Sequence, residues 1–579
     1  MFHNNEIKSR FKRTDSLIRM KYLEYVPVLF ITNLSTLLLV SVDGIVVGNF
    51  IGDIALEAVN MFVPIEVLFS AYIAIIAHGI ADCFADAMVG DNPIERIYNG
   101  KATKFVIIIS IIFLIIIQVP ITHFMIHSYN LRTASKDLAI TYALVMLVSM
   151  PFQLITSIGA CQLEEIGAMK VLMHVSIIEG VTNLVLVILF VGTFKMGIFG
   201  AGLATTIACI VRALLTVIYF LTKTKIYKRY RVKLRMGDVK RIIVTGLPYS
   251  ISIISSAIGG YFMLKLMIYL YGDSGGVVNG VFNFCLSIAT VFITSSADAN
   301  GPLNGIFLSY EDREAVDSAL KIAARQIIIA VGVFTLLIVL RPDLFYHING
   351  VSDIPEYGFE ALKAYSLCFI FVGLNTLFQG YYVDKKEIKI MSRLTFFGDI
   401  LTPLVAFLFY MYIDKKYFWY ASFAVSCTVT IIYIIKYLVI AYKESKEEKE
   451  KGDILYLEVD PNEAAEASKE LIQYANEKNY PSDVSHKLAV CLEEMVKYAV
   501  KSKDMLKIHI QIIINFFSYG AKFVMLDDGE RLNLNKNDDE SYILNKDYVV
   551  NEDYEKIKKI AKSYSYQYVL NMNHITFEF

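Results

Sequence analysis

The residue whose type and place most plainly suggest chemistry is Asp43, the single ionisable group in the 26-residue run Val26–Ile51. As a helix that run is about 39 Å long at 1.5 Å per residue, enough to cross a hydrocarbon core roughly 30 Å thick. A carboxylate well inside it is expensive unless it meets water, a cation or a partner. One reading is a carboxylate near a helix end, snorkelling or capping. The other is an intramembrane proton or cation site, which is favoured because eight further residues separate Asp43 from the polar Gly52-Asp53 boundary. Elsewhere His78, Asp82 and Asp86 recur at i, i+4, i+8 and share one helix face, as a proton path would, with Asp86 near an interface. Lys265 and Asp298 are the charged pair to watch in the second half of the chain: an internal Lys–Asp pair is either functional or a structural neutralisation. Asn375 and Gln379, one turn apart, either line a cavity or hydrogen-bond between helices.

The elements that position these residues follow from hydropathy. The chain has 579 residues, 55% hydrophobic and only 19% charged, with a mean hydropathy of +0.50. That composition excludes an ordinary soluble enzyme. Twelve apolar segments are predicted, near 23–51, 54–82, 103–127, 138–160, 168–192, 196–222, 242–271, 276–300, 320–341, 360–383, 390–412 and 416–442. The seven Cys are scattered, so neither a disulfide framework nor a zinc site is suggested. The polar, basic tail 1–22 leads directly into a full span, and no cleavable signal peptide is expected. The linker 223–241 carries nine Lys/Arg against one Asp, whereas 52–57, 193–195 and 272–276 are acidic or nearly neutral. The positive-inside rule then places both termini and this linker in the cytoplasm of a multi-pass plasma (inner) membrane protein. The linker's charge suits topology and anionic lipid, not nucleic acid.

The linker also separates two similar halves, 23–222 and 242–442. The stretch 167–190 precedes 386–409 by 219 residues, with a Lys, a central Ser/Thr and a closing Leu-Phe in common. Pro27 and Pro248 fall in similar places in spans 1 and 7. The expected architecture is therefore an all-α polytopic bundle of two six-helix pseudo-repeats around a central cavity.

The sequence LVSVDGIVVGNFIGDIALEAVNMFVPIEVL (39–68) resembles the first two helices of the multidrug and toxic compound extrusion (MATE) family: an Asp-bearing first helix, V-G-x-x-x-G, then a short A-L-x-A-V connection. MGIFGAGLATTIA (196–208) is similar to that family's G-I-x-G-A-A-x-A-T entry to the sixth helix. NGPLNGIFLSYEDREAV (300–316) resembles its P-x-x-G-x-x-x-G segment. The resemblance covers about 20–440 and implies that Asp43 takes part in binding H⁺ or Na⁺. In the family a partner in the fifth helix follows N-x-x-x-D; here Asn183 holds the first place but Val187 the second. Glu179, one turn before Asn183 on the same face, either supplies the missing carboxylate or is a packing or edge charge. Two close carboxylates raise one pKa, which suits a site that takes and releases a proton.

After Tyr442 the composition turns soluble. A charged linker, 443–453, leads to 454–579, read as strand 454–459, helices 461–478 and 482–500, strands 506–518 and 520–527, helix 552–565 and strand 567–579. This two-layer α/β domain resembles the histidine-kinase-like ATPase fold of the anti-sigma-factor kinase branch, through VCLEEMVKYAV (490–500), VMLDDGERLN (524–533) and YQYVLNMNHITFEF (566–579). The resemblance assigns Glu494, Asp527 and Gly529 to a residual nucleotide site. The magnesium-holding Asn is replaced, however, by Lys497 or Tyr498, and 550–562 has no Gly to bring backbone N–H groups to phosphates. Nucleotide binding is expected to be weak or absent, without kinase activity, leaving either a relic or a regulatory sensor that a cytoplasmic protein partner could read.

The predicted function is export of small cationic or amphipathic compounds by ion-coupled antiport with alternating access, needing no cofactor beyond Na⁺ or H⁺; the chain is not expected to be an enzyme. The alternatives are a lipid-linked oligosaccharide flippase of the same superfamily and a membrane-anchored sensor acting through its tail. No G-x-x-x-x-G-K-[ST] loop occurs, which argues against ATP-driven pumping.

Overall fold

The computed structural model describes residues 15–579 except 52, 90–92, 129–132, 224–232, 311, 350, 352–353, 452–453, 503–507, 518–519, 530–531, 534–548, 551 and 570. The first half comprises α1 (Ser16–Phe50), α2 (Asp53–Val89), α3 (Pro93–Ser128), α4 (Thr133–Glu165), α5 (Met169–Val187, continued by a π turn at Ile188–Thr193) and α6 (Gly197–Lys223). The second comprises α7 (Met236–Tyr271), α8 (Asp273–Asp298), the short α9 (Gly301–Ser309), α10 (Arg313–Leu340), the short α11 (Pro342–Ile348) and α12 (Gly358–Ser366), then α13 (Cys368–Asp384), α14 (Ile388–Tyr412) and α15 (Ala421–Lys451). Among the described residues eleven helical stretches, from Phe62–Phe84 to Lys415–Glu444, are long and apolar enough to cross a membrane. They coincide with the second to twelfth segments expected from hydropathy. The first lies in α1, where the side chains of residues 38–45 fall outside the described residues.

Long apolar runs become helices here because a backbone polar group facing lipid must be satisfied within its own segment. Prolines inside these helices are tolerated where neighbouring helices and side chains satisfy the backbone groups they free; Pro27 in α1 and Pro248 in α7 share similar positions in the two halves. Within the first half α1 packs on α5 and α2 on α4; within the second α7 packs on α14 and α13 on α15. The halves join through α2 on α7 and α1 on α8. The α2–α7 crossing is tight: a Cβ on Gly79 would collide with the Ile242 backbone, and one on Gly246 with that of Ile75. Small residues there let two helix backbones touch.

Two helix boundaries differ from the sequence expectation. The first helix starts at Ser16 instead of 23, because Leu17, Ile18, Tyr22 and Tyr25 form a buried apolar stripe that extends it. At the other end, 443–451 is not a separate linker but the end of α15; its Glu and Lys residues at helical spacing favour continued helix. The basic linker falls largely on 224–232, outside the described residues.

The C-terminal domain has β1 (Ile454–Glu458), α16 (Ala464–Glu477), α17 (Ser482–Ser502), β2 (Ile510–Phe517), β3 (Gly520–Asp527), the short β4 (Leu532–Asn533) and β5 (Val549–Val550), α18 (Glu552–Ile560), β6 (Ser563–Val569) and β7 (Met572–Glu578). Its main sheet has the order β1-β2-β3-β7-β6, with all neighbours antiparallel. The expected helix 552–565 ends at Ile560, and the expected final strand 567–579 is a hairpin. The chain reverses at Asn571, whose φ of 55° is a left-handed conformation that Asn tolerates.

Candidate functional site

Polar side chains inside the first half gather where α5 meets α6. Glu179, 5% exposed, holds Arg212 of α6 at 2.5 Å. One turn on, Asn183, 1% exposed, donates from Nδ2 to Thr205 Oγ1 of α6 at 2.8 Å. Its Oδ1 is buried and has no hydrogen-bond partner among the described residues. On the α1 side, Gly180 lies against Ser35, 3.5 Å from where a Cβ would sit. Glu179 and Asn183 thus share a face, as their spacing predicts, but Glu179 is already neutralised by a guanidinium. Arg212 lies one turn beyond the 196–208 motif and 33 residues along the chain from Glu179, so nothing local announced the pair. Asp43 lies within α1; its side chain is outside the described residues.

The second half holds a carboxylate that the sequence reading passed over. Asp399 in α14 accepts hydrogen bonds at Oδ2 from Ser255 (2.6 Å) and Ser256 (3.0 Å) of α7. Those two hydroxyls are its hydrogen-bond donors among the described residues, and no cationic side chain bridges to it. Its signal was present: an Asp in the middle of the apolar segment 390–412. Ser255 lies 220 residues after Ser35, and Asp399 lies 219 after Gly180. The two helix pairs α1–α5 and α7–α14 therefore touch at corresponding places.

The other candidates separate. Lys265 is exposed, with its Nζ 5.8 Å from the Tyr261 ring centroid, while Asp298 closes α8 at the opposite end of the bundle. No ion pair joins them among the described residues, so the expected internal Lys–Asp pair is not formed. The two residues sit at opposite ends of antiparallel helices. Asn375 donates to Ser426 O at 3.2 Å and accepts from Thr430 Oγ1 at 2.7 Å, tying α13 to α15. Gln379 Oε1 accepts weakly from Ser252 at 3.4 Å. Both act between helices. His78 stacks on Tyr249 of α7, centroids 4.0 Å apart and planes 6° apart. Asp82 accepts the Tyr249 hydroxyl at 3.3 Å. The stripe on α2 is therefore part of the seam between the halves; the Asp86 side chain lies outside the described residues.

In the C-terminal domain Glu494 pairs with Lys497 (2.8 Å) and Lys556 of α18 (3.6 Å), and Tyr498 is 3% exposed in the core. Asp527 Oδ1 accepts from Gly529 N (2.8 Å) and Asn573 Nδ2 (2.7 Å), which builds the loop expected after β3. Burial pushes the Cys491 thiol well above its ordinary range, so it stays neutral. Among the described residues no three His, Cys, Asp or Glu side chains are grouped as metal ligands.

A family model described as MatE matches residues 29–189. The chain is 24% identical over 352 residues to the multidrug export protein MepA of Staphylococcus saprophyticus, a match spanning 57% of this chain and 74% of that protein. Among solved structures, a MOP superfamily transporter from Pyrococcus furiosus shares the fold with a TM-score of 0.65 and 20% identity, covering 72% of this chain and 94% of that one. The outward-facing conformation of a multidrug resistance MATE family transporter matches with a TM-score of 0.64 and 19% identity, over 74% and 97%. The bundle thus has the fold of MATE structures. Part of the chain is thus similar to MATE sequences, and its apolar helices take the fold of solved MATE structures.

Proposed function

We propose that the protein is a secondary active exporter of small cationic or amphipathic compounds, working by alternating access between two six-helix repeats and coupled to inward movement of Na⁺ or H⁺. The observation that carries the coupling is the Asn183 Oδ1: a 1%-exposed amide oxygen beside Thr205, with no donor among the described residues. A buried acceptor without a donor is costly, and a sodium ion or a protonated carboxyl would satisfy it. On this reading Asp43 supplies that carboxyl from α1, and Glu179 is spent on Arg212. Asp399, which among the described residues is held by two hydroxyls, serves the second repeat in the same way. The matching contacts of α1–α5 and α7–α14 support the repeat. On the same reading α1 is the first of twelve spans, both termini are cytoplasmic, and the C-terminal domain is a histidine-kinase-like module that has lost its nucleotide chemistry.

The test is purified protein in liposomes, with fluorescent-cation movement followed under an imposed Na⁺ or H⁺ gradient. Movement that stops when an ionophore collapses the gradient is expected. No movement with either ion, across several dyes, would overturn the reading in favour of a flippase or a sensor.

A further inference from the structure

The main sheet of the C-terminal domain is buried on both faces. Ile512, Ile514, Phe523, Met525, Ile575 and Phe577 pack with α16 and α17. The alternate residues Ile513, Val524, Leu526 and Met572 instead join one continuous core with Leu17 and Ile18 of α1 and Phe307 of α9. The strand period of two thus puts one face on the domain's own helices and the other on the membrane bundle.

That second face is bonded to both halves. On the first half, Lys21 Nζ donates to Asn571 O (3.2 Å), Asn571 Nδ2 donates to Gly167 O between α4 and α5 (3.3 Å), and Ser16 Oγ donates to Glu458. On the second half, Gln511 Nε2 donates to Asp312 Oδ2 (3.2 Å), and His574 Nδ1 lies 3.1 Å from the Tyr310 hydroxyl. Lys21, Asp312, Gln511 and His574 are each no more than 4% exposed. Asp312 also caps α10 through Ala315 N at 3.0 Å.

The halves are shut together at this same end. Tyr22 donates to Ser296 O (3.1 Å), Asn33 to Thr294 Oγ1 (3.0 Å), and the Gly79–Ile242 and Gly246–Ile75 approaches lie in the parts of α2 and α7 nearest the domain. We propose that the C-terminal domain is a clamp: it bridges the two halves across their closed end and holds the carrier shut there until it lets go of one half. The proposal rests on the alternating-access reading above. For that end to open, the two halves must part. The domain can follow only one of them, so either the Gln511 and His574 contacts or the Lys21 and Asn571 contacts must break. Breaking them exposes buried polar groups that the closed form satisfies. By linkage, whatever draws the domain off one half favours the open end, and whatever seals it disfavours transport.

The test uses the full chain with its seven cysteines replaced and spin labels at Lys170→Cys and Glu314→Cys, exposed positions on the two halves beside the domain. A Gln511→Ala/His574→Ala variant is expected to add a longer label-to-label distance to the single short one, and to raise the gradient-driven rate several-fold. A second variant, Tyr310→Cys/His574→Cys, joined to Lys21→Cys/Asn571→Cys and oxidised, is expected to keep only the short distance and to lose transport until reduced. An unchanged distance distribution in the first variant, or full transport by the oxidised second, would overturn the clamp. The distances need no transport, so they decide the clamp even if the exporter reading fails.

Discussion

At the scale of the residue, the decisive question is which intramembrane carboxylates are paired with a cation. Glu179 is. Removing one partner of a buried ion pair leaves an uncompensated charge and costs about 3–5 kcal/mol. We therefore expect Glu179→Gln to lower the unfolding midpoint in detergent, and Glu179→Gln/Arg212→Met to restore most of it. If the pair is structural, the double variant also regains ion-coupled transport; a stable but uncoupled double variant would return Glu179 to the coupling machinery. Asp399 behaves oppositely. In Asp399→Asn the amide oxygen still accepts from Ser255 and Ser256, so stability is expected to change by about 1 kcal/mol or less, while gradient-driven transport falls. Asp43 stands out in the sequence because hydropathy alone isolates it, and its side chain lies outside the described residues. Arg212 was not, because its partnership depends on how α6 packs on α5, a contact that no local pattern encodes. Asp399 was within reach, since the internal repeat that aligned 167–190 with 386–409 places it one residue from the position matching Glu179.

At the scale of the element, the α2–α7 seam shows how sequence writes a close approach. Gly79 and Gly246 face backbone, so a larger side chain must push the helices apart. Gly246→Leu is expected to destabilise the closed form by about 1–3 kcal/mol, the usual cost of overpacking. It would be read as a lower thermal midpoint and as a longer distance between labels on α2 and α7. An unchanged midpoint and distance would mean that the seam is not tightly packed. Eleven apolar helices were legible among the described residues, with ends within about eight residues, because a lipid-facing helix must be apolar along its length. The errors fell where polar sequence is helical for other reasons: the amphipathic start of α1 and the Glu/Lys-rich end of α15. The β6–β7 hairpin was missed because its reversal turns on one left-handed Asn, with neither Gly nor Pro at the turn.

At the scale of the whole molecule, the first six helices meet the later ones at one end and the C-terminal sheet lies across the join. Hydropathy located the apolar helices, and the composition change after Tyr442 marked where the sheet region begins. Their docking could not be read from either, because it uses the face of a sheet whose alternate residues are apolar on both sides. The account's central claim is that ion movement through the first half drives export. The measurement that tests it most directly is fluorescent-cation movement in liposomes under imposed Na⁺ and H⁺ gradients, with wild type beside Asp43→Asn. The account predicts gradient-driven movement in the wild type and its loss in the variant, with dye binding retained. Full ion-dependent movement in Asp43→Asn would contradict it.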